Sequence, residues 1–544
     1  MTDGPEPRIP RAAWWALGAL WVAYAALKST LWGLTYWDFG DGNYLYIARR
    51  INEGLTLYRD ILAPQPPLHT LSGMAALRAG EALPGNELLG VRVFSLLVRI
   101  AQSLFVFLVA WRAFRHAWTA LVAAQTYLFM PIGFWWGLCY QSENLEIVFL
   151  MAAVWLLLEW TPRRAALAGA ASALAMHCNM TGVPFFLVNV VFLLCRRPRL
   201  AIPYAGAALG VWGAGAGLAQ ALTAGYYLDN VVLNQVGTFP RTDILQLSNP
   251  GATFWTYVME KVPREFRNVM DLELGLLIAA AAGLALHVGD RSAAWGKAAG
   301  EADRGEWHRR EFLAWSAIGG VLSICFTAKG GTVNYIFVLG EPLLAVFAAL
   351  AFTRLVDWAW PAGLWRTLGF GNTQAFLRAL FPAAALALAW APAVRNISFT
   401  FREIQSELPE AEVLALRDAI ATYAKPGDTI LAPPFYAYIT GTRVAGELAE
   451  NYIWQIKYMN ERFDREEGLA VRKMEEVAHL LERREVAFVV LDMDQTGRVP
   501  EVAAAIAAHY REIEPQALRT RNTTLRLYIP AHEEIRHRRL LAER

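Results

Sequence analysis

The feature that most constrains this chain is a succession of long apolar blocks, eleven by our reading, that fills it as far as residue 395 or so. They fall at 12–34, 91–111, 117–136, 145–158, 165–176, 182–194, 201–224, 272–287, 312–326, 333–352 and 381–394. A bilayer's hydrocarbon core is about 30 Å thick, which an apolar helix of about 20 residues crosses. With 56% hydrophobic and 18% charged residues, the chain exceeds the apolar share of an ordinary soluble domain. The expected fold class is a polytopic α-helical membrane protein of about eleven spans.

Arginines give the orientation. Arg112, Arg115, Arg163, Arg164, Arg196, Arg197 and Arg199 mark the short connections on one side, while 137–144, 180–181 and 329–332 carry almost none. The positive-inside rule makes the arginine side cytoplasmic. An odd number of spans then puts the N-terminus inside and the C-terminus outside, in a multi-pass membrane protein. Residues 1–396 form the membrane domain, with large outer loops at 35–90 and 225–270. The first apolar stretch is too long for a signal-peptide core and is read as a retained helix.

Residues 397–544 change character. The runs 428–432, 487–493 and 525–529 have strand length and composition, and alternate with helical patterns at 411–424, 471–484 and 502–510. A small extracytoplasmic α/β domain is expected, and it lacks the glycine spacing of a nucleotide site.

The first outer loop opens on two acids, Asp38 and Asp41, in "YWDFGDGNYLYIARRINEG". "GDG" is a turn signal, and the following residues read as a short helix stopped by Gly54, with Asp41 as its N-cap. Capping does not preclude catalysis. A carboxylate beside a low-dielectric core gains basicity by desolvation, and suits removal of a proton from an acceptor hydroxyl. Asp38 is its electrostatic partner or a solvated loop residue. After the prolines Pro64, Pro66 and Pro67, residues 68–78 read as an interfacial helix that guides a lipid chain or packs over other helix ends. Glu143 and Glu146, in "SENLEIVF", stand at a helix start, where an acid complements the macrodipole. Lys329, beside two glycines, is placed to hold a lipid phosphate or to snorkel.

These pieces, in this order, resemble the C-type-fold membrane glycosyltransferases, in the bacterial branch related to protein O-mannosyltransferases and the lipid A aminoarabinose transferase. The resemblance rests on "DGNYLYIARRINEGLTLYRD", "APQPPL", "SENLEIVF" and "NYIFVLGEPLLA". It implies an inverting hexosyl- or pentosyltransferase that moves a sugar from a polyprenyl-phosphate donor to an extracytoplasmic glycan, lipid or protein acceptor. It further implies Asp41 as the catalytic carboxylate, Glu143 as a supporting acid, and Asn334, Tyr335 and Pro342 as counterparts of a late-span motif. Asp41-Gly42 replaces the Asp-Glu of protein mannosyltransferases, and Gln65-Pro66-Pro67 the Lys-Pro-Pro of the lipid A enzyme. Those departures leave Lys329 and Gln65 to face the donor phosphate.

Neither a metal nor another cofactor is expected. Cys139, Cys178, Cys195 and Cys325 lie in apolar segments without metal-ligand spacing and read as small buried hydrophobes. A net charge of +2, without a basic aromatic tract, argues against a nucleic-acid partner. The competing class is a lipid or solute transporter or flippase, which would be built from internal repeats; no second copy of the first half is present.

Overall fold

The computed structural model describes residues 8–30, 39–63, 65–81, 87–137, 139–233, 253–294, 301–328, 334–359, 410–449, 469–492, 499–513 and 525–531. The eleventh apolar segment, 381–394, and two site candidates, Asp38 and Lys329, lie outside them.

Over their described residues the first ten apolar segments are largely helical. In chain order the helices to residue 222 are α1 (Arg11–Ser29), α2 (Phe39–Asn52), α3 (Pro67–Glu81), α4 (Glu87–Phe114), α5 (Ala117–Leu128), α6 (Pro131–Trp136), α7 (Ser142–Leu157), α8 (Pro162–Cys178), α9 (Val183–Arg196) and α10 (Pro198–Leu222). Beyond a π-helical turn at Leu228–Leu233 come α11 (Phe254–Ala294), α12 (Glu301–Leu322) and α13 (Glu341–Ala359), with 3-10 stretches at Ser323–Ala328 and Asn334–Leu339 before the last.

Breaks have local causes. Met130 precedes Pro131 and is extended (φ −63°, ψ 132°), as the proline ring demands of the residue before it; the third apolar segment is thus two helices. Asn179 is extended as well, and its side chain accepts from the Thr181 amide, which separates α8 from α9. α11 begins well inside the expected loop at 225–270, so that loop is partly helix.

By length and apolarity alone three described helical segments can cross a membrane, Leu89–Phe114, Pro198–Leu222 and Val258–Gly289, and Met180–Arg196 is a shorter apolar helix. Large apolar side chains point outward from this bundle. Trp15, Val22, Ile202, Leu218 and Ile278 are all exposed, which suits a lipid-facing surface and would be anomalous in water. Cys195 and Cys325 share this exposure, while Cys139 and Cys178 are buried. The expectation of four buried cysteines thus fails for the two on outward faces.

The C-terminal part holds α14 (Glu410–Tyr423), β1 (Thr429–Leu431), α15 (Pro434–Thr440), β2 (Arg443–Val444), α16 (Leu469–Glu482), β3 (Phe488–Asp492), α17 (Pro500–His509), β4 (Tyr510–Ile513) and β5 (Leu525–Pro530). The strand order is β2-β1-β3-β5-β4. β1 pairs in parallel with β2 and β3, and β5 is antiparallel to β3 and β4. The three strands and three helices expected from the sequence are present; β2, β4 and α15 are additions.

Two large cores result. One lies within the bundle. The other joins α2 and α3 to the sheet in a single cluster, in which Leu45, Tyr46 and Leu77 pack with Ile430, Val444 and Phe488, and which takes in Val91, Tyr140 and Tyr227 at the adjoining helix ends. The C-terminal unit is therefore continuous with the first loop rather than tethered beside it.

Candidate active site

α2 carries the first candidate. Asp41 is its third residue, because the helix starts at Phe39 and not after the "GDG" turn. Asp41 accordingly stands in the first helical turn, where an acid complements the macrodipole, and is not the N-cap the sequence suggested. Next to it stands Gly42. A Cβ there would sit 2.6 Å from the Phe435 Cα of α15, so glycine permits a backbone approach that any side chain would block. Gly54, with φ +107°, ends the helix as expected.

α3 packs against α2, and its Asn52 contact shows how: the Asn52 amide donates to the Met74 carbonyl at 3.2 Å. Ring stacking continues the connection. The edge of Tyr44 meets His69 with centroids 4.6 Å apart, and His69 stacks on Tyr140 at 4.2 Å. The Tyr140 hydroxyl bonds the His69 carbonyl and the Ser72 hydroxyl, tying α3 to the segment that leads into α7. The helix expected at 68–78 is thus α3, which packs against α2 and the Tyr140 segment. Burial pushes the His69 imidazole down to about 3, so the ring is neutral.

Gln65 lies half-buried between α2 and α3, and its carbonyl accepts from the Tyr58 hydroxyl at 2.6 Å. Its Oε1, both nitrogens of His69 and both polar atoms of the Asn43 amide are buried without a hydrogen-bond partner among the described residues. The α2–α3 unit therefore holds polar capacity that the protein itself leaves unspent, which is uncommon in an interior.

Glu143 is buried at the start of α7. It accepts from the Ser142 hydroxyl at 3.1 Å and the Asn179 amide at 2.9 Å. Glu146, one turn on, accepts from the Thr181 hydroxyl at 2.7 Å. Both acids thus engage the α8–α9 connection. Asn334 and Tyr335 open the 3-10 stretch before α13, and Pro342 is the second residue of α13, a position that suits proline.

A polar cluster inside the bundle escaped the sequence reading. The Glu273 carboxylate accepts from the Ile132 amide at 2.8 Å and Glu341 from the Gly133 amide at 2.9 Å, so two acids hold the first turn of α6. Arg99 lies 3.9 Å from Glu341 and donates to the Tyr127 carbonyl at 2.7 Å. Lys28, fully buried, donates to the Phe134 carbonyl and stands over the Phe134 ring at 3.6 Å. The signal was present: ionisable residues inside apolar runs, and Arg92 and Arg99 seven apart on one helix face.

Known proteins supply the context. Residues 68–214, from α3 into α10, match the family model described as dolichyl-phosphate-mannose-protein mannosyltransferase. No curated protein matches the sequence. Among solved structures, ArnT from Cupriavidus metallidurans bound to undecaprenyl phosphate superposes with a TM-score of 0.53 at 14% identity, covering 93% of this chain and 97% of that one. The archaeal oligosaccharyltransferase AglB from Archaeoglobus fulgidus, in complex with an inhibitory peptide and a dolichol-phosphate, gives 0.52 at 12% identity, covering 93% and 74%. This chain has the C-type fold of those two transferases, and over residues 68–214 its sequence is similar to the mannosyltransferase family model.

Proposed function

We propose that this protein is an inverting glycosyltransferase that moves a sugar from a polyprenyl-phosphate carrier to an acceptor on the outer face of a bacterial inner membrane. The observation that carries the reading is the setting of α2: the helix bearing Asp41 is clasped by α3 and the C-terminal sheet in one core, within a fold whose relative ArnT binds undecaprenyl phosphate.

In this reading Asp41 orients an acceptor hydroxyl and takes its proton as the oxygen attacks the anomeric carbon. The bond from that carbon to the phosphate oxygen breaks, and polyprenyl phosphate leaves with the negative charge. One displacement inverts the centre, and no sugar-enzyme bond forms. Lys329 steadies the leaving phosphate. Asp38 and Glu143 shape the field around Asp41, and Gln65, Asn334 and Tyr335 line the donor's path. The unspent hydrogen-bonding groups of Asn43, His69 and Gln65 are of the kind that sugar hydroxyls satisfy.

Mass spectrometry of glycolipids and glycoproteins from a deletion strain identifies the missing glycan, and plasmid-borne variants then restore it or fail to. Asp41→Asn, inserted at normal levels, is expected to lower restoration rate by about 10²–10⁴-fold, the usual worth of a general base. Restoration at the wild-type rate rejects the assignment.

A further inference from the structure

Residues 42, 46, 49 and 50 of α2 follow one another at helical spacing and form a single stripe along it. Each meets the C-terminal unit. Gly42 admits the backbone of Phe435. The Tyr46 hydroxyl donates to Glu447 Oε2 at 2.8 Å and accepts from the Val444 amide at 2.8 Å. Arg49 donates to the Tyr438 carbonyl at 2.9 Å and lies over the Tyr438 ring at 4.1 Å. Arg50 holds Glu447 Oε1 through both Nε at 3.0 Å and Nη2 at 2.6 Å, and its Nε also reaches Oε2 at 3.2 Å, charge-assisted bonds that fix orientation as well as distance.

Glu447 is held for this contact at some conformational expense. It has φ +52°, in a left-handed turn shared with Gly446 at φ +62°, a region that a residue with a Cβ adopts only when its surroundings impose it. The ion pair is sheltered, with side chains 10% and 17% exposed, so water does not screen it away. Asp41 is the residue next to Gly42, at the end of the stripe.

We propose that Glu447, acting through Arg50 and Tyr46, is a positioning residue: the C-terminal α/β unit sets the placement of α2, and through it the place of the carboxylate at Asp41. The proposal rests on the reading of Asp41 as catalytic. It gives the C-terminal unit a task other than recognising an acceptor, and it accounts for Gly42 where mannosyltransferases carry an acid.

The test uses the full-length protein in detergent and in the complemented deletion strain. Glu447→Gln should raise hydrogen exchange across residues 39–48 by at least tenfold, leave binding of undecaprenyl phosphate within twofold, and cut glycan restored per inserted enzyme by tenfold or more. Glu447→Asp, which keeps the carboxylate, should recover exchange protection and glycan together. Unchanged exchange in 39–48 overturns the coupling. Raised exchange with undiminished glycan overturns the positioning role. Asp41→Asn run in parallel keeps the two readings apart: if it restores glycan fully, the catalytic assignment has failed, whatever Glu447→Gln does to exchange.

Discussion

At the scale of single residues, His69 shows what burial does beside the candidate site. Its ring is enclosed by Tyr44 and Tyr140, and its folded-state value of about 3 lies below the usual 6.5. The unfolded chain takes up the proton first on acidification. The neutral ring's contribution is therefore complete above pH 6.5 and is lost as pH falls toward 3, with a limiting slope of about 1.4 kcal/mol per pH unit. Thermal unfolding in detergent should show this decline, and His69→Phe, which keeps the stack without the titration, should flatten it. An identical profile for the variant would remove His69 as the cause. The sequence made neither this stack nor the Arg50–Glu447 pair visible, since the latter joins residues 397 apart. The helix-start positions of Asp41 and Glu143, as distinct from any role, were legible because an acid opening a helix beside an apolar run has a local signature. Gly42 was legible as a departure but not as a contact, because its meaning resides in Phe435.

Among elements, α6 illustrates a short helix stabilised from outside. Six residues form too few internal hydrogen bonds to persist alone, and here the amides of Ile132 and Gly133 are taken by Glu273 of α11 and Glu341 of α13. Glu341→Ala strands the Gly133 amide and leaves Arg99 beside an empty position; removing one member of a buried pair costs about 3–5 kcal/mol. Glu341→Gln keeps an acceptor and should cost less. Unfolding midpoints ranked wild type above Gln above Ala would support this, and equal midpoints for Gln and Ala would refute it. The same physics decides which elements show in the sequence. β1, β3 and β5 are apolar runs long enough to read, whereas β2 has two residues and β4 begins directly where α17 ends, so neither shows a period. The bundle's helices were legible by apolarity, but their interruptions at Met130 and Asn179 depend on a proline and a side-chain bond.

For the whole molecule, the shared core makes a mechanical claim. If α2, α3 and the sheet are one cluster, a defect placed deep in the sheet must loosen the helix that carries Asp41. Ile430 of β1 is fully buried in that cluster and pairs with Val444 and Phe488. Ile430→Ala opens a cavity worth about 2–5 kcal/mol. Hydrogen exchange should then rise in β1 and β3 and also in residues 39–52, while α7 and α8, which belong to the bundle's own core, keep their protection. Cooperative units of this kind are what exchange resolves. Exchange that rises only in the sheet would mean that the C-terminal unit folds apart from the first loop, and the polar stripe on α2 would then have to carry the coupling without the apolar core beneath it.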